Sequence, residues 1–270
     1  MDMQITPRTL VEAFLPFEGE VSLAEVYAVA NLAGLEDQPV RLAIRRLVAA
    51  GGVVQHGRGR AGSLTLTGTG LRRLQRDRQS LALAFAQDAG EVRWDGSWLL
   101  IAVSAPEADR HVRDSLRREL LKLGAATIST GLYASPHDLR DMLSADSMRY
   151  VATATTADLS VRGVNDPLVI AEMLWPKASI IEPYQGIQDA IAQEADTSSL
   201  PKEVRLLILA EALERAMRDD PLVPPELRSC TWPPTKVREE WAHRWEELST
   251  DGGTTIYSGW WPPAQASALL

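Results

Sequence analysis

Arg41, Arg45 and Arg46 lie within six residues of one another, Gln38 precedes them, and His56, Arg58 and Arg60 follow in a glycine-rich stretch. A guanidinium is a planar fork of donors that fits phosphate oxygens and the O6/N7 edge of guanine, and a glutamine amide fits adenine. The chemistry on offer is recognition of a polyanion. Gly57-Arg58-Gly59-Arg60-Ala61-Gly62 also matches G-x-G-x-x-G, the dinucleotide-binding fingerprint. That fingerprint requires a strand before it and a helix opening directly after it. Here Ser63-Leu64-Thr65-Leu66-Thr67 alternates polar and apolar residues, so the glycines read as the tip of a hairpin whose first strand includes Val53-Val54. Such a tip lets backbone N–H groups, Arg58 and Arg60 approach phosphates closely, with His56 at its flank.

The elements that must position these groups are legible around them. Val40, Ile44, Leu47 and Val48 recur at helical spacing and predict one apolar face, with Arg41 and Arg45 on another and Arg46 beside them. Pro39 suits the first turn, Asp37 or Gln38 supplies the cap, and Gly51-Gly52 stops the helix. Two helices precede it. Thr6-Pro7 opens the first, which buries Leu10, Val11, Phe14 and Leu15 before Pro16. Ser22-Leu23-Ala24-Glu25 reads as a capping box for the second, which ends at Gly34. Three helices and a ribbon are the order of a winged helix-turn-helix, with Asp37–Thr67 as recognition helix and wing. On that reading Gln38, Arg41 and Arg45 face base edges, while Arg46, His56, Arg58 and Arg60 hold phosphates or a minor groove. The alternatives are a solvated basic face on an ordinary helix and, for Arg46, an ion pair with an acid on a neighbouring helix. After the wing, Thr67 or Thr69 caps a long helix with Leu71, Leu74, Leu81 and Phe85 inward and Arg72, Arg73, Arg76 and Arg78 outward, a linker or part of a dimer seam.

The whole chain has 270 residues and a net charge of −8, which taken as a single object argues against nucleic acid. The charge is not evenly spread. Residues 1–80 hold ten Arg against eight acids, and the remainder holds 18 basic against 28 acidic residues. A basic head on an acidic body suits DNA, since the body lies away from the phosphates. Cys230 alone forms no intramolecular disulfide, and His56, His111, His137 and His243 show no zinc spacing, so neither a metal nor a cofactor is expected. No apolar run has the length of a membrane span, and the N-terminus lacks a basic region followed by an apolar core; a cytoplasmic protein is expected.

From Trp98 the pattern changes. Trp98–Val103 has the length and continuity of a buried strand, and Ala105-Pro106-Glu107 opens a helix that closes at Gly124. Residues 125–130 and 148–155 read as strands with a short helix from Ser135-Pro136 between them, giving β-α-β-α-β, a ferredoxin-like sheet on one layer of helices. Further helices are expected over 167–175 and 184–195, then a linker at 196–199, a helix over 201–218 and a last one capped by Thr235. That last helix carries Val237, Trp241, Trp245 and Leu248 on one stripe, more simply a buried face than a ligand wall or dimer contact. The aromatic tail from Tyr257 to Pro263 is expected to dock on its own body or a partner subunit. The fold class is therefore α+β in three parts: residues 1–90, a winged helix-turn-helix and linker helix; 91–195, a ferredoxin-like domain; 196–270, a helical domain.

Several of these segments together resemble the PaaX-like transcriptional regulators, named for the repressor of phenylacetic acid degradation. Val40–Val48 is similar to the family pattern V-R-x-A-x-x-R-L, and Gly57–Gly70 to its wing and the following L-T-x-x-G. Trp98-Leu99-Leu100 with Pro106-Glu107, Arg110, Arg113 and Arg117 resembles W-x-L-V…P-E…R…R…L-R, and Gly131–Pro136 resembles G-x-W-x-S-P with Tyr133 in place of Trp. Asp220–Leu227 and Trp232-Pro233-Pro234 resemble D-P-x-L-P-x-x-L-L…W-P-G without its glycine, and Ala61-Gly62 stand where the family wing has bulkier residues. The resemblance implies a winged-helix head, a Cas2-like central domain, a helical C-terminal domain and a homodimer on inverted-repeat operators. It also implies release by a small-molecule effector, an aryl-CoA thioester in the founding member; with no G-x-S-x-G elbow or P-loop in the sequence, no enzymatic activity is expected. A Cas2-like metal-dependent nuclease is the enzymatic alternative, but residues 98–104 carry no acid, and Glu107 and Asp109 fall in a helix's first turn. A protein-interaction scaffold is the other.

Overall fold

The computed structural model describes residues 4–105, 110–196, 199–229, 231–250 and 255–258. These form two compact units, one from residues up to 85, 183–217 and from 234 onward, the other from 86–182 and 218–233.

In the first unit, helix α1 (Pro7–Ala13) begins as the sequence indicates: Thr6 Oγ1 accepts from Thr9 N at 3.1 Å, with Pro7 next to it. Strand β1 (Glu20–Ser22), which periodicity did not reveal, leads into α2 (Leu23–Leu32). Ser22 caps α2 through Ala24 N at 3.2 Å, and Gly34 takes φ +73° in the turn that follows. Helix α3 (Asp37–Ala49) buries Val40, Ala43, Ile44 and Leu47. Two expectations about it are corrected. Its cap position is Glu36, which makes no side-chain cap bond, so Asp37 and Gln38 lie inside the first turn. Val48 is 40% exposed, because the buried stripe passes through Ala43 instead. Strands β2 (Val53–His56) and β3 (Ser63–Leu66) pair antiparallel with His56 opposite Ser63, and β1 adds to the far edge of β3 in the order β1-β3-β2. Between β2 and β3 lies one turn of 3-10 helix, Gly59–Ala61, so the glycine motif is a wing tip and opens no nucleotide-binding helix.

Helix α4 (Gly68–Asp88) starts where the wing returns. Thr67 Oγ1 accepts from Gly70 N at 3.0 Å and donates to Gly51 O at 2.5 Å, tying the new helix to the end of α3. A Cβ on Gly70 would stand 1.9 Å from Gly52 O, so no other residue fits that crossing. The expectation that four arginines of α4 face outward is corrected for two: Arg73 pairs with Glu12 at 2.9 Å, and the Arg78 guanidinium lies 5.5 Å from the Phe17 ring centroid.

The helices α9 (Gln185–Asp196), α10 (Lys202–Met217) and α11 (Pro233–Thr250) share the core of the winged head. α11 begins two residues before the expected Thr235 cap. α10 is buried around most of its circumference, from Val204 through Ala216, as a helix apolar on nearly every side must be. Glu211 of α10 accepts from Thr6 N at 3.0 Å, and Glu214 accepts from Thr9 Oγ1 at 3.0 Å. Burial, with Glu12 and Glu211 adding to it, holds the Glu214 carboxyl above the usual carboxylate range. The fully buried Glu194 carboxylate of α9 takes Arg205 of α10 and Arg244 of α11, the latter through Nε at 2.5 Å. Trp241 and Trp245 stack with centroids 5.0 Å apart, both are buried, and Trp241 Nε1 donates to Leu209 O at 2.8 Å, so the pair is core. Tyr257 packs edge-on against Trp245, and its amide donates to Ala13 O at 2.7 Å; the rest of the aromatic tail, from Gly259, lies outside the described residues.

The second unit is the ferredoxin-like part. Its elements run β4 (Trp98–Val103), α5 (Arg110–Lys122), β5 (Ala126–Ser129), β6 (Leu132–Ser135), α6 (Ala145–Met148) and β7 (Val151–Thr156), in an antiparallel sheet ordered β5-β6-β4-β7. The sequence reading lacked β6. Leu132–Ser135 is a central strand directly after the Gly131 turn, and Ser135-Pro136 ends it without opening a helix. The expected first turn at Pro106-Glu107 lies outside the described residues. A second correction concerns layers, because both faces of the sheet are covered. Leu99, Ile101 and Tyr133 pack with Leu120 of α5, while Trp98, Ala126 and Ala134 pack with Ile170, Ala171 and Trp175 of α7 (Pro167–Leu174) and its end, and with Ile180 of α8 (Lys177–Ile181). The Asp220–Leu227 motif closes this unit. Leu222, at φ +52°, presents its carbonyl to Gln87 Nε2 at 2.9 Å and His137 Nε2 at 2.8 Å.

Two expectations follow. Gly70→Ala should lower stability by about 1–3 kcal/mol through the clash with Gly52 O, read as a fall in the urea midpoint. Burial keeps the His137 imidazole below its ordinary pKa against the pull of the Leu222 and Pro221 carbonyls. The unfolded chain therefore binds the proton first, so stability is complete above the ordinary imidazole range and falls as pH drops through it. Urea melts at neutral and mildly acidic pH should show that loss, and His137→Gln should flatten it.

Candidate nucleic-acid interface

The four buried residues of α3 fix its rotation, and with it the face turned to solvent. Gln38, Arg41, Arg45 and Arg46 are all exposed there, as sequence spacing required. Among the described residues, none of the three arginines makes an ion pair. Arg46 has no acidic partner on a neighbouring helix among the described residues. Their guanidinium groups are therefore available to phosphate or base edges. Leu42, 46% exposed on the same face, was not singled out by the sequence reading; an apolar residue flanked by arginines shows as a break in a charge pattern, not as a signal of its own.

The wing carries the other three groups differently from one another. Arg58 is exposed on extended backbone, with no ion pair among the described residues. His56 is exposed and its Nε2 sits 3.2 Å from Thr65 Oγ1 across the ribbon. Arg60 is turned inward toward the helix: its Nη2 reaches Asp37 at 3.2 Å, and its guanidinium lies 5.6 Å from the Tyr27 ring centroid. That pair spans the gap between wing tip and α3. Arg60 and Asp37 are 53% and 40% exposed, so the pair contributes less than about 1 kcal/mol and a phosphate can displace it. Gly62 gives the tip its shape, since a Cβ there would lie 2.7 Å from His56 O.

An open cleft of about 590 Å³ is lined by Phe14, Glu20, Glu25, Ala61, Ser63 and Thr255 among others, and among the described residues it presents two carboxylates and no cation. Among the described residues no group of three or more His, Cys, Asp or Glu side chains is placed to hold a metal ion, and no helix is long and apolar enough to cross a membrane. Glu107, Asp109 and Cys230 lie outside the described residues.

Comparison with known proteins adds two findings. Residues 91–164 match the PaaX protein central Cas2-like domain, which places the match on the β4–β7 sheet and α5. None of the curated proteins matches the chain. Among solved structures, the fold is similar to that of an uncharacterized protein, Rv0674, from Mycobacterium tuberculosis. The TM-score is 0.57 with 20% identity, covering 91% of this chain and 97% of that one. At that identity the likeness concerns the fold.

Asp37→Asn removes the carboxylate that holds Arg60 and a negative charge beside the exposed face. Duplex DNA should bind this variant more tightly than the unaltered protein, because Arg60 no longer leaves a carboxylate to reach a phosphate. Equal affinity of the two proteins in a titration would show that Asp37 does not hold Arg60 back from the duplex.

Proposed function

With the central domain of the PaaX-like proteins as its middle part, we propose that this chain is a DNA-binding transcriptional regulator of the PaaX type and not an enzyme. The observation that carries the proposal is the exposed face of α3: Gln38, Arg41, Arg45 and Arg46 stand together without a counter-ion among the described residues, with Arg58 on a wing beside them. Arg41, Arg45 and Gln38 read base edges in the major groove; Arg46, Arg58, Arg60 and His56 hold the backbone or a minor groove. The working form is a cytoplasmic homodimer on an inverted repeat. Its function is repression of a catabolic operon, relieved by a small molecule such as an aryl- or acyl-CoA thioester. The functional division is a head of residues 1–90, a central domain of 91–195 and a C-terminal domain of 196–270. The cleft beside the wing does not suit a thioester of coenzyme A, since Glu20 and Glu25 would face its phosphates.

The test is binding of the full chain to the DNA upstream of its own gene and to random duplex at several salt concentrations. Selective binding with a steep salt slope is expected. Absence of any duplex binding at low salt would overturn the proposal and favour an interaction scaffold. Within the interface, Arg45→Ala should relax preference at one base position at a cost of about 1–3 kcal/mol. Arg58→Ala should weaken every sequence alike and lower the salt slope by about one.

A further inference from the structure

We propose that Leu42 reads thymine, through van der Waals contact with its C5-methyl group, from the centre of the face that α3 presents to the major groove. The inference rests on the DNA-reading function proposed above and adds to it a base preference. Val40, Ala43, Ile44 and Leu47 are buried. With 3.6 residues per turn, the side opposite them carries Gln38, Leu42, Arg45 and Ala49 in one row, with Arg41 on one flank and Arg46 on the other. Leu42 is thus central, where a groove-bound helix meets base edges, and its side chain remains 46% exposed to water.

The neighbours of Leu42 determine what can cover it. Arg41, Arg45 and Arg46 surround it and make no ion pair among the described residues. A protein partner seated on Leu42 would have to bring carboxylates for all three or strip their water without replacement, which is costly. A duplex supplies the opposite charge along its backbone and one apolar group on its major-groove edges, the thymine methyl. Gln38, one turn earlier in the same row, has the donor and acceptor pair that fits adenine, and Arg45 the fork that fits guanine. The row therefore specifies a short mixed sequence in which thymine lies between the bases read by Gln38 and Arg45.

The test uses the full chain. Duplexes bound by the protein are selected from a random pool, and each thymine of the selected site is replaced in turn by deoxyuridine, which removes the methyl and leaves the hydrogen-bonding edge intact. At one position the unaltered protein should lose about four-fold in affinity, the equilibrium value of one buried methyl group. Leu42→Ala, a change at an exposed position, should bind the thymine and uracil forms of that position equally while keeping the salt slope. Indifference of the unaltered protein to every such replacement would overturn the assignment of Leu42 and leave DNA reading intact, as would a Leu42→Ala variant that still loses four-fold. Failure to select any sequence would instead overturn the DNA-reading proposal, and Leu42 with it.

Discussion

The head of this protein depends on a helix that follows it in the chain by more than a hundred residues. α10 is apolar around most of its surface because it lies in the core formed by α1, α2 and the C-terminal helices. Its two inward carboxylates meet donors at the start of α1: Glu211 takes the amide of Thr6, and Glu214 takes the Thr9 hydroxyl. A buried carboxylate is costly unless its oxygens are occupied. The same rule explains Glu194, whose fully buried oxygens are met by arginines from α10 and α11. The rotation of α3 rests on this core, and the exposed arginine face follows from that rotation.

Much of this was legible in the sequence, and the parts that were not have physical causes. Caps at Thr6 and Ser22, the left-handed Gly34 and the glycine-rich wing tip are local signals, and each appears where its chemistry requires it. β1 and β6 were missed because they are three and four residues long and owe their existence to pairing with distant strands. The second helical layer on the central sheet was missed for a related reason: Trp98 and Ala134 point to a face covered by residues from 170 onward, which no local period reports. Within the site, Gln38, Arg41, Arg45, Arg46, His56 and Arg58 are exposed as read. The engagement of Arg60 with Asp37 and Tyr27 required the wing to fold back over the helix N-terminus, a long-range event.

Charge is zoned with the same economy. Arg73 and Arg78, which the pattern placed outside, are half-buried against Glu12 and Phe17, while the arginines of α3 and Arg58 stay in water. Positive charge that packs is neutralised or lies over an aromatic face. On α3 and at the wing tip positive charge stays in water, so a chain with a net charge of −8 still presents a cationic surface there. Asp37 fits this arrangement, since its carboxylate favours the N-terminal end of α3 and holds a wing arginine near the helix without burying it.

The contacts of α1 bear on how the chain is made. Thr6 is bonded to a residue 205 positions later, and Ala13 accepts from the amide of Tyr257, near the last of the described residues. A ribosome that has released the first three helices and the wing has therefore released a head whose apolar back, from Leu10 to Ala30, still lacks its cover. The central sheet, whose strands all fall within residues 98–156, can pair in the meantime. The head must wait for α10 and α11 to emerge, exposed meanwhile to chaperones and to other nascent chains. The exposed arginine face of α3 thus precedes in the chain the helices whose packing fixes its orientation.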